Sequence, residues 1–180
     1  MTNGATAVLL TGAVGAGKTT LATEIGEQLR EANVSHAVIE LDWLAWCMTP
    51  SRDAQARRRL VLENLACLVR NYEAAGIDRF VLVGSIVSDQ HLAAIRATLD
   101  RMKLKVVRIA APAELLVERV ERRDVGRLTL GSTEQAAAFI ETARAAVPDC
   151  VEIDNSSDHI NATARLILDQ IGWSEMNEPR

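Results

Sequence analysis

An α/β fold with a parallel sheet is what this sequence predicts, and three observations predict it. Short, nearly continuous apolar runs recur along the chain, stretches with helical spacing separate them, and the first run enters the first such stretch through a glycine-rich turn. Strands covered by crossover helices on both faces lose the polar alternation of a half-exposed strand, so these runs read as a doubly covered parallel sheet with right-handed crossovers. The 180 residues, 48% of them apolar, suit one domain over 1–180 with its own core. A mean hydropathy of +0.05 excludes a disordered chain.

The strand-like runs fall at residues 7–10, 34–41, 80–83, 104–109 and 151–153. After the first, Leu21, Ile25 and Leu29 form one apolar stripe opposite Glu24, Glu27, Gln28 and Arg30. A longer helix opens at Asp53 or Ala54 and closes on Gly76, with Leu60, Val61, Leu65, Leu68, Val69 and Tyr72 along it. The next is predicted from Ser88 and Asp89 to near Met102. Pro112 suits the first turn of the helix bearing Leu115, Leu116 and Val120. Ser132 and Gln135 have the form of a capping box for a helix reaching about Ala146. The last begins near Asp158 and carries Ile160, Ala164, Ile167 and Leu168, leaving only residues 1–4 and 174–180 as loose ends.

Twenty Lys and Arg against 24 Asp and Glu give a net charge of -4. That balance exerts no general pull on nucleic acid or an anionic membrane, so neither is an expected partner. Cys47, Cys67 and Cys150 are odd in number and lack any C-x-x-C spacing, which predicts reduced, mostly buried thiols. No basic stretch precedes the first apolar run, and no run approaches the roughly 18 residues of a membrane span. The expected compartment is the cytoplasm.

Gly12, Ala13, Val14, Gly15, Ala16, Gly17, Lys18 and Thr19 fit G-x-x-x-x-G-K-[ST] between a strand-like run and an amphipathic helix, the context the motif requires. Glycines let successive N–H groups point into one anion-sized hollow, and the helix adds its positive end. Lys18 reaches the β- and γ-phosphates, and the Thr19 hydroxyl is placed to ligate Mg²⁺. A nucleoside triphosphate with Mg²⁺, ATP foremost, is the expected cofactor pair. The N-K-x-D motif of regulatory GTPases and the S-G-G-Q signature of transporter ATPases are absent, and the chain is short for a ring-forming ATPase with an extra helical domain.

On the motif and the alternation around it, the chain resembles the P-loop small-molecule kinases, such as the shikimate, gluconate and adenylylsulfate kinases and the nucleoside monophosphate kinases. The resemblance implies a three-layer α/β/α domain with a five-stranded parallel sheet of order 2-3-1-4-5. It further implies an acceptor region at about 43–76, an arginine-bearing lid at about 119–131, and transfer of the γ-phosphate of ATP to a hydroxyl of a small metabolite by a monomer or homodimer. The alternative is a nucleotide-binding regulatory or assembly ATPase without a small acceptor.

Asp42 closes the second predicted strand, at the edge where open parallel sheets hold ligands. It is placed to orient or deprotonate an acceptor hydroxyl, or to hold magnesium through water. Glu40 lies on the same side of that strand, and the pair resembles the acidic D-x-D of shikimate-type kinases; the other reading of Glu40 is a cap for the next helix. The third strand ends in Gly84-Ser85 where many P-loop proteins carry an aspartate, and 83–88 looks like the matching part of adenylylsulfate kinases. Ser85 either meets substrate or bonds to backbone. Arg119, Arg123 and Arg127 repeat every fourth residue, as lid arginines or as solvated partners of Glu118 and Glu121. Arg119 resembles the residue that stacks on adenine, Thr20 falls beside the phosphates, and Asn155 falls where relatives meet the adenine edge. Arg52 is placed to grip an acidic substrate, while Arg57, Arg58 and Arg59 read as mainly solvated charge. Trp43 and Trp46 either wall an acceptor pocket or, the expected case, pack in the core. His36, His91 and His159 form no recognisable catalytic pattern.

Overall fold

The computed structural model describes residues 4–48, 53–86, 88–123, 133–157 and 159–174. The predicted alternation is present: β1 (Thr6–Gly12), α1 (Lys18–Glu31), β2 (Ala37–Glu40), a 3₁₀ helix (Leu41–Ala45), α2 (Ala54–Ala74), β3 (Arg79–Val83), α3 (Asp89–Thr98), β4 (Lys103–Ala110), α4 (Ala113–Arg123), α5 (Thr133–Ala146), β5 (Val151–Asp154) and α6 (Ile160–Ile171). The strands lie in the order β2-β3-β1-β4-β5, and every pairing is parallel. All five carboxyl ends therefore share one edge: Glu40 pairs with Val83, Leu10 with Val83, Gly12 with Ile109 and Ala110 with Asp154.

Burial on both faces explains why the strands carry continuous apolar runs. Val8, Leu10, Val81, Val107 and Ile153 pack with Leu21 and Ile25 of α1 and Ala164 and Ile167 of α6. On the opposite face Leu9, Ile39, Phe80 and Leu82 pack with Leu65 and Val69 of α2 and Ile95 of α3. Each such large apolar side chain contributes on the order of 1.5–3 kcal/mol by leaving water. Among the described residues, no helix is long and apolar enough to cross a membrane.

Three boundaries differ from expectation. The second strand begins at Ala37, not at residue 34, because Asn33 takes a left-handed turn (φ 54°) and the Val34 N–H donates back to Leu29, closing α1. It ends at Glu40 because Leu41 turns inward over Gly84, where an added Cβ would lie 2.9 Å from the Leu41 Cδ1. The third helix stops at Thr98, and the Met102 N–H donates to Leu99 in the turn that follows. Gly76 does close α2, at φ 86°. The thiols depart from the expected burial: Cys47 and Cys67 are exposed and Cys150 is half-buried, all three free. Ser132 and Asp158 lie outside the described residues.

One ion pair anchors the far half of the sheet. Arg108 of β4 is 8% exposed; its Nε donates to Glu152 of β5 at 2.8 Å and its Nη1 to the Val147 carbonyl, just past α5, at 2.6 Å. The Arg108 hydrogen bond holds the Glu152 carboxyl below the usual glutamate range. A depressed folded pKa contributes stability that is complete above the ordinary glutamate range and lost as pH falls through the lowered value. Glu152→Gln should cost about 2 kcal/mol in urea unfolding at neutral pH, less than the ~3–5 of a fully buried pair, because the Glu152 side chain is 39% exposed. The deficit should shrink as acid protonates wild-type Glu152; a deficit independent of pH would exclude the ion pair as its cause.

Candidate active site

The loop after β1 is held open by close backbone approaches that only glycine permits. At Gly12 (φ 139°) a Cβ would collide with the Ile109 carbonyl of β4, and at Gly15 (φ 85°) it would lie 2.7 Å from the Leu116 carbonyl of α4. Gly17 (φ 90°) caps α1 in the left-handed region, and a Cβ there would run into the Asn155 amide. The loop closes on itself through the Ala16 N–H to the Ala13 carbonyl at 3.2 Å. Val14, Gly15 and Gly17 are half-buried, and Ala13 and Ala16 are buried.

The N-cap of α1 has no side-chain hydrogen bond and its first turn has no acidic residue. The first intrahelical bond runs from Leu21 to the Gly17 carbonyl, so the N–H groups of Lys18, Thr19 and Thr20 have no acceptor within the helix. Lys18 folds over the loop, its Nζ donating to the Gly12 and Ala13 carbonyls at 3.1 and 3.0 Å. These donors, the lysine and the helix end converge where the motif predicts a phosphate chain.

The Thr19 hydroxyl donates to Glu40 Oε2 at 2.8 Å. Glu40 is the N-cap of the 3₁₀ helix yet makes no capping bond with its side chain; its carboxylate turns to the loop instead. Asp42 lies beyond the strand end, exposed, in the 3₁₀ helix. The pair therefore does not follow strand alternation, and the acid that meets the Thr19 hydroxyl is Glu40. A hydroxyl and a carboxylate side by side are hard oxygen donors that fit Mg²⁺. Among the described residues no group of three or more His, Cys, Asp and Glu forms a metal cage.

Asn155 is fully buried and acts on the loop. Its Nδ2 donates to the Ala16 carbonyl at 2.8 Å, its N–H donates to the Ala110 carbonyl, and its own carbonyl accepts from Arg119 Nη1 at 2.9 Å. Arg119 is thus tied beside the loop at the end of β5, while the Glu118 carboxylate pairs with Arg122. Ser85 donates to the Gly12 carbonyl at 3.2 Å, and Thr11 accepts from the Ile86 N–H, fixing the end of β3 against the loop. Arg52, Arg127 and the 124–131 part of the expected lid lie outside the described residues, as does the Arg123 side chain.

Sequence reasoning set aside one residue that the fold brings to Asp42. His91, on the first turn of α3 and half-buried, has its pKa lowered mainly by burial, then by Arg58 of α2, with Asp42 opposing. Charges on two other elements thus act on His91, which isolated histidines in a sequence could not reveal. Trp43 and Trp46 also depart from expectation: they are 66% and 73% exposed and stack on each other at 5.2 Å between ring centroids.

Residues 8–136 match the AAA domain family. No curated protein matches the sequence. Among solved structures, a tunicamycin resistance protein of Deinococcus radiodurans aligns with a TM-score of 0.71 at 20% identity, over 94% of this chain and 97% of that one. A sugar kinase from Janibacter sp. HTCC2649 aligns with a TM-score of 0.65 at 19% identity, over 98% and 99% of the two chains. A shikimate kinase from Acinetobacter baumannii, in complex with shikimate, aligns at 0.61 and 18%, over 96% of each. The shared feature is the P-loop kinase fold.

Gly17→Ala places a methyl group against Asn155 in a backbone conformation that costs about 1–2 kcal/mol for an L-residue. Its Mg-ATP affinity should fall roughly tenfold or more in calorimetry while the far-ultraviolet circular dichroism stays that of the wild type. Unchanged affinity would show that the left-handed cap is not needed for the phosphate cradle.

Proposed function

The chain belongs to the AAA domain family, and from that starting point we propose that it is a magnesium-dependent phosphotransferase moving the γ-phosphate of ATP to a hydroxyl of a small molecule. The observation that carries the reading is the Thr19–Glu40 hydrogen bond at 2.8 Å. It gives the loop hydroxyl an acidic neighbour from β2, in a chain whose third strand is followed by Gly84-Ser85.

In this reading the amides of Lys18, Thr19 and Thr20 bind phosphate oxygens, and the Lys18 Nζ leaves the Gly12 and Ala13 carbonyls to span the β- and γ-phosphates. Thr19 and Glu40 would hold Mg²⁺, which would supply neutralisation of the charge that develops during transfer. Asp42 positions the acceptor hydroxyl and accepts its proton, Ser85 keeps the loop and β3 in register beside it, and Arg119 lies against the nucleotide base. Arg123, Arg127 and Arg52 are proposed, from the sequence pattern, to gather the remaining phosphate and acceptor charge. Little covalent work falls to the protein; alignment and charge neutralisation carry the rate.

The sugar kinase and shikimate kinase folds favour a hydroxyl acceptor. The family description favours a second reading, an ATP-hydrolysing switch without one. ADP release measured across a panel of hydroxyl compounds separates them: stoichiometric phosphorylated product supports transfer, and stimulation only by a protein supports the switch. Lys18→Ala should lower turnover by about 10²–10³ and leave the unfolding midpoint nearly unchanged, since its Nζ bonds loop carbonyls and not core groups. Wild-type turnover in that variant would refute nucleotide chemistry at this loop.

Glu40→Gln and Asp42→Asn should separate by kind. Glu40→Gln should raise the magnesium concentration for half-maximal rate several-fold, whereas Asp42→Asn should lower kcat at unchanged magnesium dependence. The reverse pattern, in magnesium titrations of ADP release, would exchange the two roles.

A further inference from the structure

The strongest unexplained feature is the tryptophan pair. The 3₁₀ helix has three residues per turn, so side chains at i and i+3 stand in line. Leu41 and Leu44 form one row, turned toward the core; Asp42 and Ala45 form the second; Trp43 and Trp46 form the third. The third row explains the stack: the Trp46 N–H donates to the Trp43 carbonyl, and the rings lie 5.2 Å apart at 27°.

This row is presented on a rigid base. Leu41 is buried against Gly84 at the end of β3, and Asn64 of α2 donates to the Leu44 carbonyl at 2.6 Å. Trp43 follows Asp42 directly, and Asp42 shares its surroundings with His91 and Arg58. The indoles thus stand on the element that begins where Glu40 meets the phosphate loop. Only 3% of the chain is aromatic, and two of its three tryptophans are kept in solvent at this one place.

We propose that the stacked indoles are the docking platform for the acceptor, and that the acceptor is a ring-bearing small molecule with one apolar ring face and a free hydroxyl. This inference rests on the phosphotransfer reading and specifies its substrate. The exposed surface of the two side chains is roughly 350 Å², well below the about 800 Å² each partner gives to a stable protein interface. It matches the face of one or two rings. Indoles lose little conformational freedom on binding, and a ring laid on them would sit one residue from Asp42, the proposed proton acceptor, with its polar rim in water.

The probes are phenyl β-D-glucoside and adenosine as ring compounds, and D-gluconate and D-sorbitol as open-chain compounds, each with magnesium and a non-hydrolysable ATP analogue. Trp43 and Trp46 are accessible to acrylamide, whereas Trp173 is buried, so quenching reports mainly the pair. A ring compound should protect against quenching and the open-chain compounds should not. Trp43→Ala and Trp46→Ala should each weaken that binding roughly tenfold, and Trp46→Phe should restore most of it. Circular dichroism and Mg-ATP calorimetry on the same variants report folding and the nucleotide site separately.

Three results would overturn the proposal: no protection by either ring compound at millimolar concentration, phosphorylation of an open-chain compound that both alanine variants retain, or a shift in sedimentation of the alanine variants that marks the pair as an interface between copies. With Mg-ATP heat intact, these sink the platform and leave the kinase reading standing. Absence of Mg-ATP heat in the wild-type chain sinks the kinase reading and the platform with it.

Discussion

The phosphate cradle depends on contact between the loop and the half of the sheet that lies beyond it. Gly12 sits against the Ile109 carbonyl, Gly15 against that of Leu116, and Ala16 accepts from the Asn155 amide. Apart from the Ala16 N–H to Ala13 carbonyl bond, a phosphate-binding loop has little of its own to hold it, because its amides serve a ligand. Its shape must come from β4, α4 and the end of β5. The cost is visible in Asn155, whose Oδ1 is buried with no hydrogen-bond partner among the described residues; leaving such an atom unmet costs on the order of 1–3 kcal/mol. A residue that carries this penalty while holding a loop carbonyl is kept for geometry. The Arg108–Glu152 pair joins the same two strands, so the nucleotide side is braced both at its edge and behind it.

Across β1 the other half of the sheet positions a different set of groups. Its critical event is the end of β2. Had the strand continued through Asp42, both acids would have faced the same way. Instead Leu41 turns into the space left by Gly84, the chain winds into a 3₁₀ helix, and only Glu40 reaches Thr19. A side chain missing from one strand thus decides which carboxylate of a neighbouring strand meets the loop. It also leaves Asp42 exposed, where its charge acts on His91.

Legibility in the sequence followed the range of the forces involved. The strands and helices were readable because burial on two faces imposes continuous apolar runs and burial on one face imposes helical stripes. The glycine loop was readable because a phosphate needs many amides in one short segment. The strand order and the three layers came through resemblance to known kinases and match the pairing found. What was not readable lay in contacts between segments far apart in sequence: the Gly84–Leu41 contact, the Asn155–Ala16 bond across 139 residues, and the meeting of His91, Arg58 and Asp42. The exposure of Trp43 and Trp46 was misjudged for a related reason. Aromatic residues near a strand end are usually buried, and only the three-residue period of the helix, itself set by Leu41, turns them out. A reader who had noticed that Leu41, Leu44 and Trp43, Trp46 share that period would have had the one local signal available.

The phosphotransfer proposed above has a consequence for how an acceptor would be taken on. In that reading the nucleotide is held by backbone groups braced by β4, α4 and β5, and backbone donors leave little room for change in side-chain identity. The proposed acceptor side is built from side chains on a short helix pinned at two points, Leu41 and the Leu44 carbonyl. Replacing Trp43 or Trp46 disturbs neither pin, since both rings stand in solvent, whereas replacing Leu41 or Gly84 would move Glu40 as well. In that reading acceptor preference can change at the exposed row without loss of the phosphate loop, but not at the buried row, because the helix proposed to display the acceptor groups is the same one that fixes the acid beside Thr19.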